Sequence, residues 1–115
     1  MESILTSIKK LLGISEDYTH FDPDIIISIN SAFSFLTQLG VGPSEGFFIE
    51  DEKSVWSDFV IDDLKIKFIK TYINLKVKLF FDPPLSTAAI ESINRMITEL
   101  EWRIQVATDP IELTN

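Results

Sequence analysis

Few residues in this sequence could do chemistry, and their types and spacing narrow the choice further. His20 is the only histidine and stands before a helical pattern in a polar stretch, so no histidine pair can hold a metal. A surface or capping role is its simplest reading. There is no cysteine, which removes thiol catalysis, thiolate metal sites and disulfides. Glu50, Asp51 and Glu52 are consecutive carboxylates. A calcium loop, however, needs alternating ligands and a central glycine, and both are missing. Asp58, Asp62 and Asp63 could be read as a magnesium pair. They are explained more simply as helix-start residues facing the positive end of a helix dipole. Gly40 and Gly42 lead into no Gly-Lys-Ser/Thr run, so no phosphate loop is present.

Surface features remain. Lys67, Lys70 and Lys78 fall on one helical face, but that face has neither the arginine nor the interleaved aromatic of a nucleic-acid surface. It reads as a solvated face or a protein interface. Trp102 falls well away from the isoleucine row of its helix, among Glu91, Arg95 and Glu99. Partial burial under a terminus or another helix is one reading. A subunit interface, where tryptophan is enriched, is the other. No catalytic, metal-binding or cofactor-binding residue is assigned, no cofactor is expected, and the chain is expected not to be an enzyme.

The elements that carry these groups read as helices. Ile4, Leu5, Ile8, Leu11 and Leu12 recur at helical spacing and Gly13 stops them. So short a helix is marginal alone and must dock. A second helix is predicted from Asp22 as N-cap, with Pro23 in its first turn and Asp24 near the positive dipole end. Its apolar face is Ile25, Ile29, Ala32, Phe33, Leu36 and Leu39, with Ile27 an exception on the polar face, and Gly40 ends it. From Val41 to about Val60 no helical period holds, and Gly42, Pro43 and Gly46 break the chain. This long acidic loop has room for a short hairpin, with Val55, Trp56 and Phe59 tucked against the core.

From Asp62 to Asp82 there is no glycine or proline. Leu75, Val77 and Leu79 alternate with lysines as in a strand, but the uninterrupted length favours a helix. It carries two apolar rows: Leu64, Phe68, Tyr72, Leu75 and Leu79, and beside them Ile66, Ile69, Ile73, Val77 and Phe80. An apolar surface that wide marks a central helix with neighbours on two sides, and Phe68 and Tyr72 are expected in the core. Pro83 and Pro84 end it. Ser86 or Thr87 can cap a last helix whose core face is Ile90, Ile93, Ile97, Leu100 and Ile104. The expected fold is all-α: about four helices bundled around a central one, as a single domain over residues 1–115, with a flexible tail from Val106 to Asn115.

Composition sets the outer bounds. At 115 residues one core is feasible and two are not. Hydrophobic residues at 45% and charged residues at 24% are ordinary for a globular chain, so disorder is not expected over most of it. The opening residues lack the order of a secretion signal, and no apolar run reaches the ~20 residues that span a bilayer, so a soluble protein is expected. The net charge of −8 repels nucleic-acid phosphates. It is unevenly spread: seven acidic residues face one lysine between Asp22 and Val60, whereas five lysines face three acidic residues between Ile61 and Asp82.

The order of these features resembles the small all-helical head–tail connector, or adaptor, proteins of long-tailed phages, some of them labelled DNA-packaging proteins. The resemblance runs from Ile4 to about Val106. It is carried by Leu12-Gly13-Ile14, by Asp22 to Asn30 running into Gln38-Leu39-Gly40-Val41-Gly42, and by Trp56-Ser57-Asp58-Phe59. Lys70-Thr71-Tyr72-Ile73 through Phe81-Asp82-Pro83-Pro84, and Glu99-Leu100-Glu101-Trp102-Arg103, complete it. The resemblance implies a homo-oligomeric ring, typically dodecameric, beneath the portal protein of the virion. Such a ring extends the DNA channel and docks the next connector or tail protein. DNA would pass through without specific binding and no membrane would be involved. None of these segments is a catalytic motif.

A ring needs heterologous contacts between unlike patches. The expected pair is the acidic loop, Glu50, Asp51 and Glu52, against the lysine face, Lys67, Lys70 and Lys78, of the next subunit, with Phe47, Phe48 or Trp102 adding apolar contact. The alternative from another class is a small helical binding or inhibitor module whose acidic loop meets one basic partner.

Overall fold

Residues 2–108 are described by a computed structural model, in which helices dominate. They are α1 (Ile4–Leu11), α2 (Asp22–Gln38), α3 (Asp63–Phe81) and α4 (Thr87–Thr108), with one short 3-10 turn at Trp56–Asp58. The fold is an all-α bundle, and α3 is its centre, packing against α1, α2 and α4. Asp62 starts α3 by accepting from the amides of Leu64 (2.9 Å) and Lys65 (3.3 Å). Its row Ile66, Ile69, Ile73 and Val77 is buried, and only Phe80, at the end, is exposed. In the adjoining row Tyr72 and Leu75 are buried, Phe68 and Leu79 half-buried and Leu64 exposed. Phe68 is therefore not the core residue its spacing predicts: it sits at the edge of the α3–α4 seam beside Met96, Leu100 and Arg103.

The face predicted for α2 is the face it buries: Ile25, Ile29, Ala32, Phe33 and Leu36 are inside and Leu39 packs at the edge. Ile27 is exposed. Gly40 closes the helix in the left-handed region (φ +83°), where an L side chain is strained. Its start differs from expectation. Phe21 occupies the cap position without a side-chain bond, and Asp22 is the first helical residue. The Asp22 carboxylate turns instead to Lys9, whose side chain is almost wholly buried. The Lys9 ammonium donates to the carbonyls of Glu16 (3.0 Å) and Tyr18 (2.8 Å). Asp22 Oδ1 stands 2.8 Å from it as a charge contact without hydrogen-bond alignment. Residues 13–21 are thereby folded back on α1.

The stretch after α2 holds no hairpin. Among the described residues no strand forms, and one isolated bridge joins Ser3 to Val55. The reason lies in where the backbone groups find partners. The Asn30 side chain donates to the Ile49 carbonyl (3.0 Å) and accepts from its amide (2.8 Å). Ser54 accepts from the Ile4 amide (2.9 Å), and Asp58 from the Val55 amide (2.9 Å). The loop thus bonds to α1, α2 and itself locally, while Ile49, Trp56 and Phe59 turn inward and Val55 is half-buried. Trp56 Nε1 donates to Ser7 Oγ (2.8 Å), which satisfies the indole on burial. Phe33 meets Phe47 and Phe59 at centroid distances of 5.0 and 4.7 Å.

Ser86 caps α4, its Oγ accepting from the Ala89 amide (2.9 Å). Of the five residues predicted for its core face, Ile97 and Ile104 are buried, while Ile90, Ile93 and Leu100 are half-buried. The cause is a shortage of neighbours, since α3 is the one helix against which α4 packs substantially. The seam includes a bond from Tyr72 Oη to Glu101 (2.8 Å). Val106 to Thr108 belong to α4, so the expected tail begins as helix. Its remainder, 109–115, lies outside the described residues.

Three outcomes follow for stability. At Gly42 (φ +80°) a Cβ would strike the Phe59 ring, whereas at Gly40 it meets nothing within 4 Å. Gly40→Ala is expected to lose about 1–2 kcal/mol from the left-handed backbone alone, and Gly42→Ala about 1–3 kcal/mol more from overpacking, both read from urea denaturation. Phe68→Ala should cost about 1–2 kcal/mol, and Phe33→Ala the full ~3–5 kcal/mol of a buried aromatic. Equal losses would place Phe68 in the core after all. Burial, followed by the bond to Glu101 and its charge, pushes the Tyr72 phenol far above its ordinary value. The folded state thus holds a proton that the unfolded chain releases near pH ~10. Stability should be undiminished by this group below that pH and fall above it, and Tyr72→Phe should flatten the alkaline limb of a pH–stability curve.

Candidate assembly surface

One cleft is lined by Lys9, Glu16, Asp17, Thr19, Asp22 and Glu52, and its lysine is already engaged by the Glu16 and Tyr18 carbonyls and by Asp22. Among the described residues no cluster of three or more His, Asp or Glu side chains could hold a metal ion. His20 is exposed and stacks edge-on against Phe21 at 4.9 Å. Among the described residues no helix is long and apolar enough to cross a membrane. The informative surfaces are apolar and charged patches.

The residues expected to meet a neighbouring subunit are dispersed. Phe47 is half-buried against Phe33 and Phe59, and so is largely a packing residue. Phe48, next to it, is exposed. Glu50 and Glu52 are exposed, while Asp51 is half-buried and accepts from the Lys53 amide (2.8 Å), fixing its turn. On α3, Lys70 is engaged by its own chain. It bonds to Glu2 (3.0 Å), lies 5.9 Å from the Trp56 ring centroid, and with Lys10 holds the Glu2 carboxyl below its usual range. Lys78 stands 3.7 Å from Asp82, one turn on. Lys67 alone of the three is exposed without an ion pair among the described residues.

The α4 surface carries one apolar feature. Trp102 is 64% exposed and Met96 46%. Phe68 and Thr71 of α3 with Met96, Glu99, Leu100 and Arg103 of α4 line a shallow groove along the seam. Arg103 is tied to Glu99 (2.8 Å), which keeps one wall of the groove charged but neutral in sum. A helix packed mainly against one neighbour, with a tryptophan exposed, has the surface of an incomplete bundle.

Sequence reasoning passed over a second apolar feature at the other end of α3. Tyr18, Phe21 and Phe81 form a chain of ring contacts, with Tyr18–Phe21 at 5.7 Å and Phe21–Phe81 at 5.2 Å. Phe21, Asp24, Ile27 and Ser28 of the α2 start and Phe80 and Phe81 of the α3 end line a cleft there. The spacing of Tyr18, His20 and Phe21 was a visible signal. Their partner sits sixty residues further along, which periodicity within one helix cannot supply.

No curated protein and no solved structure matches the chain. A family model described as phage connector protein matches residues 4–110, nearly the whole length. The chain, an all-α bundle over its described residues, therefore belongs to the phage connector protein family, a group of phage structural proteins.

Proposed function

We propose that this protein is a head–tail connector subunit of a long-tailed bacteriophage that closes into a ring beneath the portal protein. The ring, dodecameric on the virion, extends the DNA channel and offers a docking surface to the next connector or tail protein. The observation that carries this reading is α4, packed mainly on α3 and presenting Trp102 and the Phe68–Met96–Leu100 groove outward in a chain matched along its length by the connector family. Burying such a face against the next subunit supplies the helix with its second neighbour. With net charge −8 per subunit the ring repels DNA phosphates, so DNA passes along the axis without being bound.

Charge sets the approach of one subunit to the next. Glu50 and Glu52 face the lysine side of the neighbouring α3, where Lys67 is the available cation because Lys70 and Lys78 have partners in their own chain. Each exposed pair contributes only about 0–1 kcal/mol, so orientation comes from charge and affinity from Phe48 and Trp102. Subunits are monomeric in dilute solution and close on the portal.

Reconstitution on purified portal rings at low salt, followed by electron microscopy, tests this. Trp102→Glu is expected to abolish ring formation while leaving the fold intact by circular dichroism. Lys67→Glu should weaken assembly a few-fold, with the defect vanishing at high salt as the Debye length shrinks, and Glu50→Lys in the same chain should restore it. Rings formed unchanged by Trp102→Glu would remove α4 as the contact. Failure of the wild-type chain to assemble on any portal ring would sink the connector reading itself.

A further inference from the structure

The aromatic end of the bundle is a separate surface from the α4 face. Packing within the chain accounts for Phe21 against Phe81, but it leaves Ile27 66% and Phe80 55% exposed on either side of the same cleft. Leu85, just past the Pro83-Pro84 stop that follows α3, is fully exposed. Several large apolar side chains exposed around one cleft mark an interaction site.

Its electrostatics select the occupant. Among the described residues Asp24 is the one charged residue that lines the cleft, and no ion pair engages it. Asp82 follows Phe81 directly and stands 3.7 Å from Lys78, which is not among the residues that line the cleft. A carboxylate beside aromatic rings suits a guanidinium or ammonium, which pairs with the one and lies over the others. A second copy of this chain is poorly supplied for that role, because half of its ten cationic side chains, Lys9, Lys10, Lys70, Lys78 and Arg103, are paired within the chain. An anionic bilayer would be repelled by the carboxylates.

We infer that the cleft between the first turn of α2 and the last turn of α3 docks a segment of a different protein, apolar on one side and carrying arginine or lysine beside it. On the connector reading, on which only the partner's place in the particle rests, that protein is an axial neighbour of the ring. Phe21, Ile27, Phe80 and Phe81 take the apolar side chains and Asp24 takes the cation.

The test titrates the full-length isotope-labelled chain with two helical peptides, followed by amide chemical shifts. One carries leucine and phenylalanine on one face with arginine beside them. The other has glutamate in place of each arginine. The arginine peptide should shift signals of residues 18–28 and 78–82, and the glutamate peptide should bind at least about tenfold more weakly, a difference of ~1.4 kcal/mol. Ile27→Glu and Phe80→Glu, both at exposed positions, should each weaken the arginine peptide to a similar degree. Asp24→Lys should erase the preference between the peptides, and Trp102→Glu should change nothing. Equal binding of the two peptides, shifts confined to other residues, or no binding at all overturns the inference. So does sedimentation showing that Ile27→Glu dissociates a self-associated wild type, which would make the occupant a second copy. Flotation with phosphatidylserine vesicles that Phe80→Glu abolishes would make it a lipid surface. Peptide failure with portal-bound rings still forming overturns this inference alone, because ring formation reads α4 and not the cleft.

Discussion

The ammonium of Lys9 is the constraint on which the packing of the first third of the chain depends. Isolated helices as short as α1 are marginal in water because nucleation is costly. This one is held by a buried cation that cannot be left without partners, since an uncompensated buried charge costs several kcal/mol. Its donors are met by the Glu16 and Tyr18 carbonyls and its charge by Asp22. Those three contacts bring the loop after α1 back over the helix and fix where α2 begins. Trp56 completes the attachment from the other side through Ser7, and the Ile4 amide bonds to Ser54. The aromatic chain from Tyr18 to Phe81 stands where it does because the Tyr18 carbonyl is anchored on Lys9.

Around that anchored start, α3 distributes the burial. It meets α1 and α2 through a row of β-branched residues that is fully enclosed, and it meets α4 through a row that is enclosed only near Tyr72 and Leu75. The asymmetry explains why the surface is rich in apolar side chains although the core is well formed. α1 and α2 share neighbours, whereas α4 packs mainly on α3. That leaves apolar area open at Trp102, Met96 and the seam groove. The charges are arranged to a different end. Lys70, Lys78 and Arg103 are paired within the chain, and Asp24, Glu50 and Glu52 of the carboxylate excess stand exposed.

Long, strongly periodic segments were legible in the sequence. The α2 face from Ile25 to Leu36, the unbroken helix from Asp63 to Phe81 and the Ser86 cap follow from spacing, from the lack of glycine and proline, and from side chains that bond to their own local backbone. The inward position of Trp56 and Phe59 follows from their bulk in a loop next to a core. Family membership was legible as well, because it rests on the order of short segments along the chain, and the family match covers nearly the same residues.

Sequence alone thus determined the helices, their stops and the acidic balance, since each depends on residues a few positions apart or on simple totals. Only the tertiary structure decided what depends on distant neighbours. Asp22 reads as a cap by its local pattern, but a lysine thirteen residues earlier is buried beside it and draws its carboxylate away. Asn30 falls on a polar face, yet its amide matches the backbone of Ile49 and removes any need for a hairpin. Phe68 and Tyr72 share one row, and only the line along which α4 crosses it encloses one and leaves the other at the edge. Lys70 is taken by Glu2 from the far end of the chain, which no helical wheel of α3 contains. In each case periodicity fixes the direction of a side chain relative to its own helix, and the partner waiting in that direction is set by the packing of the others.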